Sequence, residues 1–372
     1  MKHQNKNISR RLAAAMMAGA MMVSMVGMTA FAATGGTSEV IFEKILTVTD
    51  SAAKVPNVTF DYAIAAGEEI PATATTPEIK AGITNGVVIG DAEFTPNMTV
   101  TAGSVSKDVS VDFSDVTFPE PGIYRYVITE SLVDADDNPD IVNDTNPTRY
   151  MDVYVVNPDA GESDYKITSV AMLEKAASIQ KEGDVYKYVD SEGNAITAKN
   201  AGYEATYNTY ALKLKKVIDG DMATMGDTFS FTIKLTEGDA GEQFDYSGQT
   251  YTFLSDGTVS ITGISLGNES EVTISGIPSD VKYEIVENIA KTEGYTTTAT
   301  INETPVTVTS SDNAQTVATQ NKSASTDNVI VTNTKDAVSP TGIALTVAPY
   351  IIMVAAAAGV AVLFLRRRNN EF

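Results

Sequence analysis

Apolar and polar residues alternate in short segments along the central part of this chain of 372 residues. Phe229, Phe231 and Ile233 form one such segment, and a period of two is typical of strands with one buried face. Residues 169–181 are compatible with helix, strand or loop. An Asp-Gly turn at residues 256–257 predicts a hairpin between its flanking segments. The pattern therefore predicts an all-β protein with many short strands.

The composition excludes several kinds of functional site. The chain has no Cys or Trp, and its one histidine is His3 near the N-terminus. Catalytic triads with His, thiol nucleophiles, zinc sites made from Cys or His, and disulfides are therefore excluded. The net charge is −22, which makes nucleic acid an implausible partner. We expect no cofactor and no bound metal.

One acidic segment has part of the pattern of a calcium-binding loop. The segment Asp134–Asp140 places the oxygen-bearing side chains of Asp134, Asp136 and Asn138 at the first, third and fifth positions of such a loop. Pro139 stands where the loop requires Gly, and Thr145 stands where it requires Glu. We therefore interpret this segment as an exposed acidic loop.

The N-terminus has the pattern of a secretory signal peptide. Lys2, Lys6, Arg10 and Arg11 are followed by an apolar stretch and by the small-residue site at residues 30–32. This order is typical of a signal peptide over residues 1–32, and it predicts an exported protein.

The C-terminus has the pattern of a membrane anchor. Residues 343–365 are almost entirely apolar, and three arginines follow at residues 366–368. About 20 apolar residues suffice for a helix to cross a bilayer. The sequence predicts a transmembrane helix over 343–365 and a cytoplasmic tail over 366–372, because arginines favour the cytoplasmic side.

A weak internal repeat orders three polar residues in the same way twice. Lysines occur within apolar strand faces, followed by Glu in a Tyr-x-Ile-x-Glu segment and by Asn at the end of each copy; these residues are Lys44, Glu130 and Asn208, and Lys216, Glu287 and Asn333. Taken singly, each charged residue is compatible with a salt bridge or a solvated edge. Two copies of the same order favour a shared chemical role, because burying Lys or Glu without a partner is costly.

These elements resemble the isopeptide-forming domains of Gram-positive two-domain shaft pilins. The resemblance covers nearly the whole mature chain and implies two tandem Ig-like, CnaB-like β-sandwich domains, over residues 37–210 and 211–336. It also implies a Lys44–Asn208 bond with Glu130 as the catalytic acid. The corresponding bond in the second domain is Lys216–Asn333 with Glu287, and its motifs "YEIVE" and "VTNTKD" match the family more closely.

The implied chemistry agrees with the physical properties of these side chains. Burial favours the neutral forms of Lys and Glu. A neutral lysine amine can attack the carboxamide carbon of Asn while a protonated Glu polarises the carbonyl and transfers protons. Folding holds the reactants together, and the reaction occurs once, so we do not expect an enzyme.

The residues before the apolar C-terminal stretch resemble a sortase sorting signal. The motif is Val338, Ser339, Pro340, Thr341 and Gly342, and cleavage is expected between Thr341 and Gly342. Its first two residues differ from the Leu-Pro-x-Thr-Gly pattern, whereas Pro-Thr-Gly agrees with variants found in some pilins. The resemblance implies a sortase transpeptidase as a partner and a membrane-held precursor.

Polymerisation requires a lysine that accepts the acyl group of a neighbouring subunit. Shaft pilins present this lysine near the end of the first domain, and here Lys199 precedes Asn200 in that region. The Tyr-Pro that often precedes such a lysine is missing. Lys181 and Lys187 are alternatives, and an ordinary solvated lysine remains an equal interpretation of Lys199.

Three functions are compatible with these features. The first is a homopolymeric shaft subunit at the cell surface, with peptidoglycan and minor pilins as further partners. The second is a sortase-anchored adhesin or minor pilin that is not itself polymerised. The third, a surface hydrolase that uses carboxylates alone, has no specific motif in its favour.

Overall fold

The computed structural model describes residues 38–337, with gaps at 49, 134–137, 159–160, 162–163, 183–184, 290–292 and 319–325. The predicted signal peptide, sorting motif, transmembrane helix and cytoplasmic tail lie outside the described residues. Within the described ranges we find no helix with the length and apolarity that a membrane span requires.

The chain from residue 39 to residue 207 forms fifteen of the described strands, which we call the N-terminal domain. They are β1 (Glu39–Val48), β2 (Val58–Phe60), β3 (Tyr62–Ala66), β4 (Lys80–Ala81), β5 (Val88–Ile89), β6 (Ala92–Phe94), β7 (Ser104–Asp112), β8 (Gly122–Glu130), β9 (Ile141–Val142), β10 (Thr148–Val156), β11 (Lys166–Leu173), β12 (Ser178–Glu182), β13 (Val185–Val189), β14 (Ala195–Ile196) and β15 (Tyr203–Tyr207).

The chain from residue 209 to residue 334 forms the other twelve described strands, which we call the C-terminal domain. They are β16 (Thr209–Asp219), β17 (Thr228–Thr236), β18 (Gln243–Tyr246), β19 (Gln249–Thr252), β20 (Val259–Gly267), β21 (Glu271–Pro278), β22 (Lys282–Asn288), β23 (Thr296–Ile301), β24 (Thr304–Val306), β25 (Thr309–Ser310), β26 (Gln315–Ala318) and β27 (Thr326–Thr334).

Each domain is a β-sandwich with its own core. In the N-terminal domain, a sheet of order β5-β7-β1-β15-β9 packs on a sheet of order β11-β10-β8-β3. In the C-terminal domain, a sheet of order β21-β16-β27-β23-β24 packs on a sheet of order β20-β17-β22-β26-β25. Alternating residues of the facing strands fill each core, as the period of two predicts. Among the described strands, every sheet lies entirely on one side of Asn208.

The first and last strands of each domain are parallel neighbours, within sheets that are otherwise antiparallel. Strand β1 pairs with β15, and β16 pairs with β27. The chain therefore enters and leaves each domain through two adjacent strands that run in the same direction. A link between these two strands would connect the entry and exit points of the domain directly.

The all-β prediction is confirmed, and two local features became clear only in the structure. Residues 169–181 are strand, turn and strand, because they span the end of β11 and most of β12. The predicted hairpin around residues 256–257 is wrong, because β19 pairs with β18 whereas β20 pairs with β17. The local turn is present, but its flanking strands join different sheets.

Candidate functional site

The core of the C-terminal domain contains a cluster of three polar side chains, Lys216, Glu287 and Asn333, which we call the C-terminal cluster. Lys216 lies on β16, Asn333 on the adjacent β27, and Glu287 on β22 of the facing sheet. All three side chains are essentially inaccessible to solvent. Lys216 shares the buried face of β16 with Leu214 and Ile218, as the alternating pattern predicts.

Both reactive groups of the C-terminal cluster contact the same carboxylate oxygen. The Nζ atom of Lys216 lies 2.8 Å from Oε1 of Glu287, and the Nδ2 atom of Asn333 donates to that same oxygen at 2.8 Å. The hydroxyl of Thr297 donates to Oδ1 of Asn333 at 2.8 Å. The amine, the acid and the carboxamide therefore lie in one contact network between the first and last strands of the domain.

Burial moves both titratable groups of the C-terminal cluster toward their neutral forms. Desolvation lowers the pKa of Lys216 to about 8, although the charge of Glu287 opposes this shift. Desolvation also raises the pKa of Glu287, against the influence of Lys216. The Phe229 ring centroid lies 4.6 Å from Nζ of Lys216, which makes the surroundings of the amine largely apolar. A neutral amine and a protonated acid are the forms that amide formation requires.

The contacts change one detail of the expected chemistry. The sequence analysis assigns polarisation of the Asn carbonyl to Glu287, but Glu287 contacts the amide nitrogen instead. Thr297 contacts the carbonyl oxygen. Glu287 is thus placed to pass a proton from the attacking amine to the departing nitrogen, while Thr297 can stabilise charge on the oxygen. Sequence reasoning missed Thr297, which is one of three consecutive threonines on β23.

The core of the N-terminal domain contains a related cluster of Lys44, Glu130 and Tyr62, which we call the N-terminal cluster. Nζ of Lys44 donates to Oε1 of Glu130 at 2.8 Å, and the hydroxyl of Tyr62 donates to Oε2 of Glu130 at 2.8 Å. Lys44 also donates to the backbone carbonyl of Glu204 at 3.1 Å, and its Nζ lies 3.9 Å from the ring centroid of Phe60. Both carboxylate oxygens are occupied, and no carboxamide takes part in these contacts.

Desolvation shifts the titratable groups of the N-terminal cluster in the same directions as those of the C-terminal cluster. It lowers the pKa of Lys44 and raises the pKa of Glu130, in each case against the attraction of the other residue. The lysine and the acid therefore share the environment of their C-terminal counterparts. The difference between the clusters lies in the third residue.

The structure does not place Asn208 beside Lys44, which corrects the expected Lys44–Asn208 pair. In the parallel register, Lys44 lies opposite Tyr203 and Val48 lies opposite Tyr207, so Asn208 follows the end of the paired segment. At about 3.3 Å per residue, five residues separate it from the level of Lys44 by roughly 16 Å. Asn208 therefore cannot be the partner of Lys44 in this fold.

The register identifies which residue does occupy the position of Asn333 in the N-terminal domain. In the C-terminal domain, Asn333 lies opposite Ile218, two residues after the lysine. In the N-terminal domain, the residue opposite Leu46, two residues after Lys44, is Ala205. Ala205 points into the core and is buried. A methyl group thus stands where the second domain has its carboxamide.

Asn208 instead links the two domains through its backbone. Its N–H donates to the carbonyl of Asp140 at 2.8 Å, and its carbonyl accepts from the N–H of Ser279 at 3.1 Å. The domain boundary therefore falls at Asn208, between β15 and β16, two residues before the boundary expected from the sequence.

The candidate acceptor Lys199 lies on an exposed connection between β14 and β15. Its backbone carbonyl accepts from Met172 N–H at 2.8 Å, and its Nζ lies 5.5 Å from the ring centroid of Tyr188. The alternative Lys187 forms an ion pair with Glu182, and the alternative Lys181 lies over the ring of Tyr186. All three lysines are exposed.

Comparisons with known proteins match two separate segments of the chain, one on each side of Asn208. Residues 40–191 match the family model described as a Spy0128-like isopeptide containing domain. Residues 210–335 match a domain of unknown function, DUF7601. The first match ends before β15, so it does not include the strand on which the register places Ala205.

Proteins similar over most of the chain are pilins. A curated protein named "Pilin" from Streptococcus pyogenes serotype M1 is 26% identical over 371 residues, covering 94% of this chain and 98% of that protein. The major pilin T3.2 from S. pyogenes serotype GAS13637 is 22% identical with a TM-score of 0.53, covering 80% of this chain and 98% of that chain.

A major pilin from S. pyogenes is a further structural match, at 18% identity and a TM-score of 0.55, covering 81% of this chain and 99% of that chain. At these identities the structures show a common fold. The chain is thus similar to S. pyogenes pilins along most of its length, and its residues 40–191 match the family model of the Spy0128-like isopeptide containing domain.

Proposed function

We propose that this protein is a structural subunit of a covalent surface pilus, and that its C-terminal domain forms an internal amide bond between Lys216 and Asn333. The observation that carries the proposal is the shared contact of the lysine amine and the asparagine carboxamide with Glu287, inside the core and between the first and last strands. The similarity to pilins along the chain supports a structural role without catalytic turnover.

The reaction balances with the groups present in the C-terminal cluster. Lys216 transfers a proton to Glu287, and its Nζ attacks Cγ of Asn333. The hydroxyl of Thr297 supports the negative charge that develops on Oδ1. Glu287 then delivers this proton to Nδ2 and takes the second proton from Nζ, the Cγ–Nδ2 bond breaks, and ammonia leaves while Glu287 stays protonated. The product is one amide bond, and no external reactant is required.

This bond would alter how the C-terminal domain carries tension. Because Lys216 and Asn333 lie on adjacent entry and exit strands, a pulling force would pass through the amide and bypass β17 to β26. Closing a loop of roughly 100 residues also stabilises the fold by about 5 kcal/mol in the chain-entropy treatment used for cross-links. A fibre subunit without disulfides gains a permanent link in this way.

Intact-mass measurement tests the proposed bond. We expect the purified protein to weigh less than its sequence by one ammonia, not two, because only the C-terminal cluster contains a carboxamide. Glu287→Ala should restore the full sequence mass, and Asn333→Ala should show no ammonia loss. The matched control is Glu130→Ala, which should still lack one ammonia. A peptide containing free Lys216 in the wild-type protein would contradict the assignment.

Assembly of the pilus would require terminal segments that lie outside the described residues. In the proposed scheme, the precursor has a signal peptide over 1–32 and a membrane helix over 343–365. A sortase cleaves between Thr341 and Gly342 and transfers the acyl group to Lys199 of a neighbouring subunit. The exposure of Lys199 near the end of the N-terminal domain supports this choice. The final location would be the cell surface, with attachment to peptidoglycan.

Substitution of Lys199 tests the assembly step. Lys199→Arg should abolish the ladder of covalent polymers on a denaturing gel while leaving the subunit exported and attached. Lys187→Arg is the matched control, since it changes another exposed lysine of the same domain. A ladder that persists in the Lys199 variant would favour a different acceptor. If the wild-type protein gives no ladder, an anchored adhesin or minor pilin is the better description.

A further inference from the structure

Three acidic side chains meet in the buried junction between the two domains. Asp140 comes from the N-terminal domain just before β9, whereas Glu242 and Asp280 come from the loops before β18 and β22. Their exposed fractions are 2%, 3% and 6%, and each offers a carboxylate oxygen within 4.8 Å of the others. We call these residues the junction acids. Asp140 is therefore buried, in contrast to the exposed loop that the sequence predicts.

Surrounding contacts hold the junction acids in place. The hydroxyl of Tyr207 donates to Oε1 of Glu242 at 3.2 Å, and the N–H of Asp239 donates to Oε2 of Glu242 at 3.1 Å. Asn208 fixes the backbone of Asp140 through the hydrogen bond to its carbonyl. The site is thus built from both domains and from the segment that joins them.

Among the described residues, no hydrogen-bond donor reaches the Oδ1 oxygen of Asp140. This oxygen is buried and accepts no hydrogen bond from the described residues, whereas buried carboxylate oxygens normally have a donor. A buried carboxylate oxygen without a donor is costly unless a cation meets it.

We propose that the junction acids bind one calcium ion between the two domains. Calcium takes oxygen ligands at about 2.3–2.6 Å, so two of its ligands lie at most about 5 Å apart, which the spacing of these oxygens satisfies. Water molecules complete the six to eight ligands that calcium requires. Zinc is disfavoured because it prefers nitrogen and sulfur ligands, and magnesium because it demands a near-ideal octahedron.

A calcium ion at this place would reinforce contacts that already join the domains. Ala53 and Phe244 form an isolated β-bridge, and the N–H of Asp245 donates to the carbonyl of Ala52 at 2.9 Å. The N–H of Gly276 donates to Oδ2 of Asp50 at 3.0 Å, and Gly276 has a φ of 74° at a point where a Cβ would collide with Ala53. The ion would add a charged link to this junction and limit bending between the domains.

Calcium titration of the purified, EDTA-treated protein tests the proposal. We expect one calcium ion per chain by isothermal titration calorimetry, together with a rise in Tm, since a ligand that binds the folded state stabilises it. Asp140→Asn and Glu242→Gln should each weaken calcium binding more than about tenfold, because each removes a charged ligand. The matched control is Asp245→Asn, which alters the junction ion pair with Lys54 but none of the proposed ligands.

The response of Tm distinguishes a ligand from a merely structural residue. Without calcium, Asp140→Asn should melt at or above the wild-type temperature, because it relieves repulsion among the junction acids. With calcium, the wild-type protein should gain stability and the variant should not. A wild-type protein without calcium binding overturns the proposal. Binding that survives both substitutions also overturns it, because the ions are then on the acidic surface.

Terbium luminescence gives a second readout that does not depend on the acid variants. Terbium occupies calcium sites, and a nearby tyrosine sensitises its emission. Because the hydroxyl of Tyr207 contacts Glu242, we expect sensitised emission that calcium displaces and that Tyr207→Phe reduces. Emission unchanged in Tyr207→Phe contradicts binding at the junction. The Lys216–Asn333 bond and the polymer ladder report on other parts of the chain, so their outcomes are separate from this one.

Discussion

The two domains hold nearly identical lysine–glutamate pairs and differ in the residue that could react with the lysine. Lys44 and Lys216 each lie 2.8 Å from a buried glutamate across the sandwich. In the C-terminal domain, Asn333 lies opposite Ile218, which is two residues after the lysine. In the N-terminal domain, the corresponding position opposite Leu46 holds Ala205. Tyr62 in the N-terminal cluster instead occupies the second carboxylate oxygen. The comparison predicts that the N-terminal cluster does not react, because it has no carboxamide in register with its lysine.

The difference also predicts unequal mechanical behaviour. The amide proposed for the C-terminal domain would join β16 to β27 covalently. The corresponding strands β1 and β15 are joined by a ladder that spans only Lys44 to Val48 on the first strand. Tension would load that ladder in shear. The N-terminal domain is therefore expected to unfold under force, while the C-terminal domain stays closed.

The largest expected effect comes from giving the N-terminal domain the missing carboxamide. Ala205→Asn places an amide at the register position of Asn333, beside the existing Lys44 and Glu130. We expect loss of a second ammonia by intact mass and an added stability of about 5 kcal/mol from the closed loop. In single-molecule pulling, the unfolding step of this domain, at roughly 3.5 Å per residue released, should disappear.

Thr206→Asn is the matched control for this variant, because residue 206 alternates to the other face of β15. It should lose only the ammonia of the C-terminal domain. Tyr62→Phe combined with Ala205→Asn covers the case in which the tyrosine hydroxyl blocks access to Glu130. Ala205→Asn is made alone and together with Tyr62→Phe. If both of these proteins fold and neither loses a second ammonia, the register of the carboxamide is not the feature that distinguishes the domains.

A smaller effect is expected from removing the negative charge of Glu130 in the N-terminal cluster. Glu130→Gln leaves Lys44 buried without a counter-charge, which should destabilise the N-terminal domain by about 3 kcal/mol. Urea denaturation, with an unchanged m-value, measures this loss. Glu93→Gln on the exposed face of β6 is the control and should change stability by less than about 0.5 kcal/mol. Equal stabilities of the two variants would indicate that the Lys44–Glu130 pair is not a structural ion pair.

The sequence was sufficient to predict the buried lysines and glutamates but not the partner of Lys44. Alternation along a strand determines which face Lys44 and Lys216 share with their apolar neighbours, and the structure agrees. The register between β1 and β15 depends on packing between segments far apart in sequence. Asn208 follows Lys44 and Glu130 in the chain, as the internal repeat requires, yet it lies beyond the paired segment of β1 and β15. The contacts of Thr297 and Asp140 likewise depend on tertiary structure, which no local pattern in the sequence encodes.

The pH dependence of bond formation tests whether Glu287 and Lys216 act as a pair. The reactive form has a neutral Lys216 and a protonated Glu287. It carries the same number of protons as the ion pair, in which Lys216 is charged and Glu287 is ionised. Its population is therefore independent of pH while the two residues share one proton. Above the pKa of Lys216, at about 8, that proton is lost and Glu287 cannot protonate the leaving nitrogen. At low pH a second proton binds, since the pKa of Glu287 is raised, and Lys216 stays charged.

The rate of ammonia loss should therefore be constant near neutral pH and fall about tenfold per pH unit above about 8. Protein refolded from urea-solubilised inclusion bodies, quenched at intervals and analysed by intact mass, gives this rate. Tyrosine fluorescence at each pH separates folding from bond formation. A rate that keeps rising toward pH 10 would mean that deprotonation of Lys216 alone limits the reaction. In that case Glu287 would not be the acid, and the resemblance between the two clusters would be structural only.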